Sequence, residues 1–121
     1  MGWIPIKVTT TGSDGSATGE ASKDFSEYDN PAIVSKVFVP TQTAFPNTSD
    51  ITISELMPDG SAVSTWVLSN ITTPFVRPLS RLIYDATGTV TTTYAVQFMS
   101  GIKIAIAQAN AGTITVWVLI A

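Results

Sequence analysis

Nine carboxylates, six cationic side chains and neither histidine nor cysteine are what this 121-residue chain brings to chemistry. A serine nucleophile of the triad type needs an imidazole to take its proton, and zinc sites are built from imidazole or thiolate ligands. Both are excluded by composition, and no motif supports a lysine-activated serine. Paired carboxylates remain, the arrangement of glycoside hydrolysis, which holds two groups at one fixed separation. Asp24, Glu27 and Asp29 fall in a polar stretch with no rigid frame around it. Asp50, Glu55 and Asp59 bracket a turn, where aspartate is an ordinary turn former. The tetrapeptide Asp-Gly-Ser-Ala occurs at Asp14–Ala17 and again at Asp59–Ala62. Neither copy continues into the spaced oxygen ligands of a calcium loop, and both read as Asp-Gly turns. The expectation is a protein that is not an enzyme, with no catalytic residues, no cofactor and no metal.

Side chains suited to binding are easier to find. Trp3, Trp66 and Trp117 could stack on sugar rings as in carbohydrate-binding modules, although each lies in or beside an apolar run where core packing is the competing role. Arg77 and Arg81 flank Pro78, and the planar guanidinium fork suits a carboxylate across an interface. In the last predicted strand Ile114, Val116, Val118 and Ile120 share one face, and Thr115, Trp117 and Leu119 share the other. Both faces are therefore apolar towards the end of the strand. It is either a central strand in a two-sheet core, or one that offers Trp117 and Leu119 to a neighbouring subunit.

Charge is scarce. Charged residues make up 12% of the chain, against about 25% in an ordinary soluble domain. A surface of Ser, Thr, Asn and Gln packs against protein without desolvating many ions, so oligomerisation is expected. The net charge of −3 and six scattered Lys and Arg form no basic stripe, which argues against nucleic acid. No run approaches the ~20 apolar residues that span a bilayer, so no membrane partner is expected. The opening residues lack the basic start and apolar run of a signal peptide. Two Asn-x-Ser/Thr triplets, at Asn47 and Asn70, are expected by chance in so Thr-rich a chain.

The elements that must carry these residues are strands. Residues 3–10 alternate around Pro5, which confines that strand to an edge or its start. Residues 12–30 hold only Phe25 and Tyr28 as sizeable apolar groups, a linker-like composition. The domain boundary is accordingly placed at Pro31, with an extended arm over residues 1–31 and a sandwich over 32–121. Strands are predicted at 32–39, 50–56, 62–68, 79–84, 89–98, 102–107 and 113–120. Turn signals separate them, Asp59-Gly60 the clearest. Seven or eight short strands at this spacing indicate an all-β fold, an antiparallel β-sandwich or a jelly roll.

Three segments carry a family resemblance: residues 47–53 (NTSDITI), 78–88 (PLSRLIYDATG) and 101–120 (GIKIAIAQANAGTITVWVLI). They resemble the small β-sandwich structural proteins of tailed bacteriophages, over roughly residues 36–121. The resemblance implies a head decoration, or cement, protein on the exterior of the capsid in the virion. Its partners would be the major capsid protein and further copies of itself, as a trimer. On that reading the arm grips the shell through Trp3, Ile4, Ile6, Phe25 and Tyr28, and Arg77, Arg81, Trp117 and Leu119 complete the interface. Another virion component (a head–tail connector, or a tail or fibre-associated β domain) and a carbohydrate-binding module are the alternatives.

Overall fold

The computed structural model describes residues 2–27, 32–79, 83–84, 86–88, 90–92 and 97–120. Among them the chain forms eleven strands: β1 (Gly2–Thr10), β2 (Ala17–Asp24), β3 (Ala32–Val39), β4 (Asp50–Leu56), β5 (Ala62–Leu68), β6 (Phe75–Pro78), β7 (Ile83–Tyr84), β8 (Val90–Thr92), β9 (Gln97–Met99), β10 (Gly101–Ala109) and β11 (Gly112–Ile120). One sheet has the order β1-β11-β3-β6, with β9 also paired to β3. The other has the order β2-β10-β4-β5, and β7 and β8 form a separate ribbon. Every pairing is antiparallel. The fold is the expected antiparallel β-sandwich. Ranked along the chain, the eight strands of the two main paths run 1-8-3-6 and 2-7-4-5, the winding of a jelly roll.

Residues 2–24 do not form a free arm. β1 pairs with β11 over its whole length, from Gly2 opposite Ile120 to Thr10 opposite Gly112. Ile4, Ile6 and Val8 face the core. Each such burial contributes roughly 1.5–3 kcal/mol, and together with the nine-residue ladder to β11 it offsets the conformational entropy lost on ordering the strand. Pro5 is tolerated because β1 is an edge strand. After a turn, the chain crosses to the other sheet as β2, paired with β10. β2 escapes a hydrophobicity reading because its inward positions are small. Ala17 is buried, Ala21 is partly buried against the core, and Gly19 lies where β1 crosses over. A Cβ on Gly19 would collide with the backbone carbonyl of Thr9. Small side chains let the two strands approach, and the ladder to β10 supplies what burial does not.

The core lies between the sheets. On one side Ile104 pairs with Ile53 and Ala21, and Ile106 with Ile51. On the other Val8, Ile6 and Ile4 stand opposite Ile114, Val116 and Val118. Such β-branched cross-strand pairs suit a pleated, buried surface. Phe25, Phe45 and Met99 are wholly buried and belong to the same core.

Candidate functional site

The outer face of the five-stranded sheet is built by alternation. Each residue between two inward-facing neighbours on β1, β11 and β3 points away from the core. The register then sets these residues side by side. Trp3, Leu119, Lys36 and Pro78 form one row across β1, β11, β3 and β6; Pro5, Trp117, Phe38 and Val76 form the next. Lys7 and Thr115 begin a third. Trp3 is 44% exposed and Val76 55%, while Trp117, Leu119 and Phe38 are half-buried by one another. The Trp3 and Phe38 rings meet edge to face, their centroids 6.2 Å apart and their planes at 67°. Aromatic and aliphatic groups thus cover a continuous outward surface that no other part of the chain covers among the described residues. Val63 and Val67 are also exposed, at 51% and 68%, but they stand on the edge strand β5, where the neighbouring Trp66 is buried in the core.

The expected interface residues are divided by this arrangement. Trp3, Trp117 and Leu119 share the outer face. Ile4, Ile6 and Phe25 are in the core and are not available to a partner, because strand alternation and the crossing from β1 to β2 turn them inward. Arg77 is exposed on the edge strand β6. Tyr28 and Arg81 lie outside the described residues. Of the three tryptophans proposed for sugar stacking, Trp66 packs in the core and the other two are brought together across one strand pair. Lys36, Phe38 and Val76 join the face with no separate signal in the sequence, and Pro5 and Lys7 join it from the same side of β1 as Trp3. Their period-2 spacing was visible, but which strands are neighbours was not.

The loop end of the sandwich is polar, and its polar groups hold the loops together. Asp50 accepts hydrogen bonds from the Asn70 backbone N–H (2.9 Å) and from the Gln108 side-chain amide (3.1 Å). The Asn110 side chain accepts from the Gly15 N–H (3.1 Å) and donates to the Thr43 carbonyl (3.1 Å). Asp14 accepts from the Ala111 N–H (3.3 Å), and buried Thr10 donates its hydroxyl to the Asn110 carbonyl (2.6 Å). These contacts lock the β1–β2, β3–β4 and β10–β11 connections to each other.

Asp24 and Asp59 each accept both the hydroxyl and the backbone N–H of the serine two residues on. The distances are 2.5 and 3.1 Å for Ser26, and 2.6 and 3.0 Å for Ser61. These bonds, the hydroxyl first, hold both carboxyls below the usual aspartate range. A general acid at neutral pH needs the opposite shift, so both residues are turn formers. Among the described residues no group of three or more carboxylates could hold a metal ion.

No protein-family model matches the chain, and no curated protein matches it in sequence. Solved structures do resemble it in fold. A selenomethionine-labelled mutant of chitosan-binding module 1, from the chitosanase/glucanase of Paenibacillus sp. IK-5, superposes with a TM-score of 0.52. It is 7% identical, over 90% of this chain and 72% of that one. CBM32 of AlyQ, in complex with 4,5-unsaturated mannuronic acid, superposes with a TM-score of 0.50 at 13% identity, over 98% and 97% of the two chains. At these identities the likeness is one of fold: the chain is a β-sandwich of the kind on which carbohydrate-binding modules are built.

Proposed function

We propose that this protein is a non-catalytic carbohydrate-binding module whose ligand lies on the outer face of the five-stranded sheet. The observation that carries the reading is the clustering of Trp3, Trp117 and Phe38 on that face, with Trp3 left 44% exposed. Aromatic rings present an apolar surface to the C–H face of a pyranose while the sugar hydroxyls stay wet. Thr115 and Thr9, on the same side of β11 and β1, supply hydroxyls at the margin. The sandwich fold shared with carbohydrate-binding modules supports the reading without choosing the ligand. The test is titration with soluble polysaccharides, followed by tryptophan fluorescence and calorimetry. Binding is expected to change the emission of the intact protein, and Trp3→Ala is expected to weaken it at least about tenfold, the scale of a lost anchor. Binding unaffected by Trp3→Ala and by Trp117→Ala would place the ligand elsewhere; no binding to any glycan would remove the reading.

A second reading has its own support. Leu119, Val76, Pro5 and Pro78 add aliphatic surface around the rings, as in the core of a protein interface. Jelly rolls serve in viral capsids as well as in lectins. On this reading the protein is a virion component, a capsid decoration protein on the shell exterior or a tail-associated domain. The same face would seat a capsid or tail subunit or, in a homotrimer, another copy. Incubation with empty expanded capsids separates the two: decoration requires cosedimentation and a raised capsid melting temperature.

A further inference from the structure

Ionic groups are divided unevenly between the two sheets. The strands of the five-stranded sheet, β1, β3, β6, β9 and β11, contain Lys7, Lys36 and Arg77 and not one Asp or Glu. The four strands opposite contain Glu20, Asp24, Asp50 and Glu55 against Lys23 and Lys103. This runs against the whole chain, whose net charge is −3. Lys7 and Lys36 stand on the outer side of the five-stranded sheet, in register with Thr115 and Leu119, whereas Arg77 stands opposite the buried Val37 and belongs to the other side. Among the described residues the outer side is therefore locally positive on an acidic protein.

The two lysines of that face stand on either side of the aromatic group. Lys36 shares a row with Leu119 and Trp3, and Lys7 lies one row beyond Pro5 and Trp117 on the far strand. Four residues along and two strands across separate them by roughly 16 Å at ordinary strand spacings, with Trp117 between. Both are exposed, and neither forms an ion pair among the described residues. Lys103, by contrast, is held by Glu20 at 3.0 Å on the other sheet. An aromatic strip flanked by two ammonium groups, on strands that contain no Asp or Glu, is complementary to a polymer that alternates apolar faces with negative charge.

We infer that the ligand of this face is an acidic polysaccharide, its sugar rings packed on Trp3, Trp117 and Phe38 and its carboxylate or sulfate groups at Lys7 and Lys36. The inference rests on the carbohydrate reading above and narrows it. The intact chain is titrated with neutral dextran and galactomannan, cationic chitosan, carboxylated alginate and sulfated carrageenan, and with single-stranded DNA, each at low and high salt. Binding to alginate or carrageenan in preference to the neutral and cationic polymers, weakened by salt, is the expected result; the better of the two identifies the anionic group. Lys7→Gln with Lys36→Gln is expected to weaken that binding about tenfold, and Lys103→Gln to leave it unchanged. Equal or tighter binding to a neutral polymer or to chitosan would overturn the inference and leave the carbohydrate reading standing. So would unchanged affinity in the double variant. Preference for DNA over every glycan would overturn both, and binding to none of the polymers would remove the carbohydrate reading itself.

Discussion

The indole of Trp3 on β1 reaches over β11 to meet the ring of Phe38 on β3 edge-on, at 6.2 Å between centroids and 67° between planes. The two residues are not cross-strand partners: Trp3 stands opposite Leu119, and Phe38 opposite Trp117. The contact is a diagonal, and it joins an edge strand to the middle of the sheet. It orients an exposed indole that would otherwise sample several rotamers, which lowers the entropy a ligand must overcome.

Trp3 and Trp66 are therefore expected to behave differently on truncation. Trp3→Ala removes an edge-to-face pair and partly exposed area, and should cost about 1 kcal/mol of folding stability. Trp66→Ala empties a core position and should cost roughly 3–5 kcal/mol. Equilibrium denaturant unfolding of the two variants measures both, with ligand affinity falling for Trp3→Ala alone.

Deleting residues 1–31 should abolish folding. β11 would lose a nine-residue ladder, β10 would lose its partner β2, and Ile4, Ile6, Val8 and Phe25 would leave the core. Far-UV circular dichroism and amide dispersion of the truncated protein decide this. A cooperatively folded remainder would show that the first two strands are dispensable.

Gly19→Ala places a methyl group against the Thr9 carbonyl. The neighbour is backbone and cannot swing aside, so β1 and β2 must separate. A loss of about 1–3 kcal/mol, the usual scale of overpacking, is expected in thermal or denaturant unfolding. Thr18→Ala, at an exposed neighbouring position, should be near neutral.

The Asp24 and Asp59 turns predict an acid limb in the stability profile. Both carboxyls have folded-state pKa values lowered from 3.8 by their serine partners. Their contribution is therefore complete above the unfolded aspartate pKa and is lost as pH falls through the lower folded values. Asp24→Asn with Asp59→Asn keeps an acceptor oxygen in each turn but removes the titration. The melting temperature of the double variant should fall less steeply than that of the parent as pH drops below 3.8. Parallel curves would mean that the turns do not couple to folding.

Much of this fold can be read from residue order. β3, β4 and β5 occur at the predicted bounds, because each is a β-branched run closed by turn residues. Gly60 at φ +87° supplies the left-handed position in the Asp59-Gly60 turn. β2 has no such signature. Its inward side is Ala17, Gly19 and Ala21, so it has no apolar signal, and it exists because β10 is there to pair with. The same missing signal makes residues 12–30 read as a linker and residues 1–31 as an arm, where the structure has β1 and β2.

The candidate face shows the division most clearly. Local order alone determined that Trp3, Pro5 and Lys7 share one side of a strand, that Trp117 and Leu119 share one side of another, and that no imidazole or thiol chemistry is possible. Tertiary structure alone decided that β1 pairs with β11 and β11 with β3, which turns three separate alternations into one aromatic surface with two lysines beside it. It also decided that Trp66 faces the core while Trp3 does not. The reason is physical. Side-chain alternation is a property of one strand and is written every second residue, whereas strand adjacency is selected by the packing of the two sheets around one core, and no local segment encodes it.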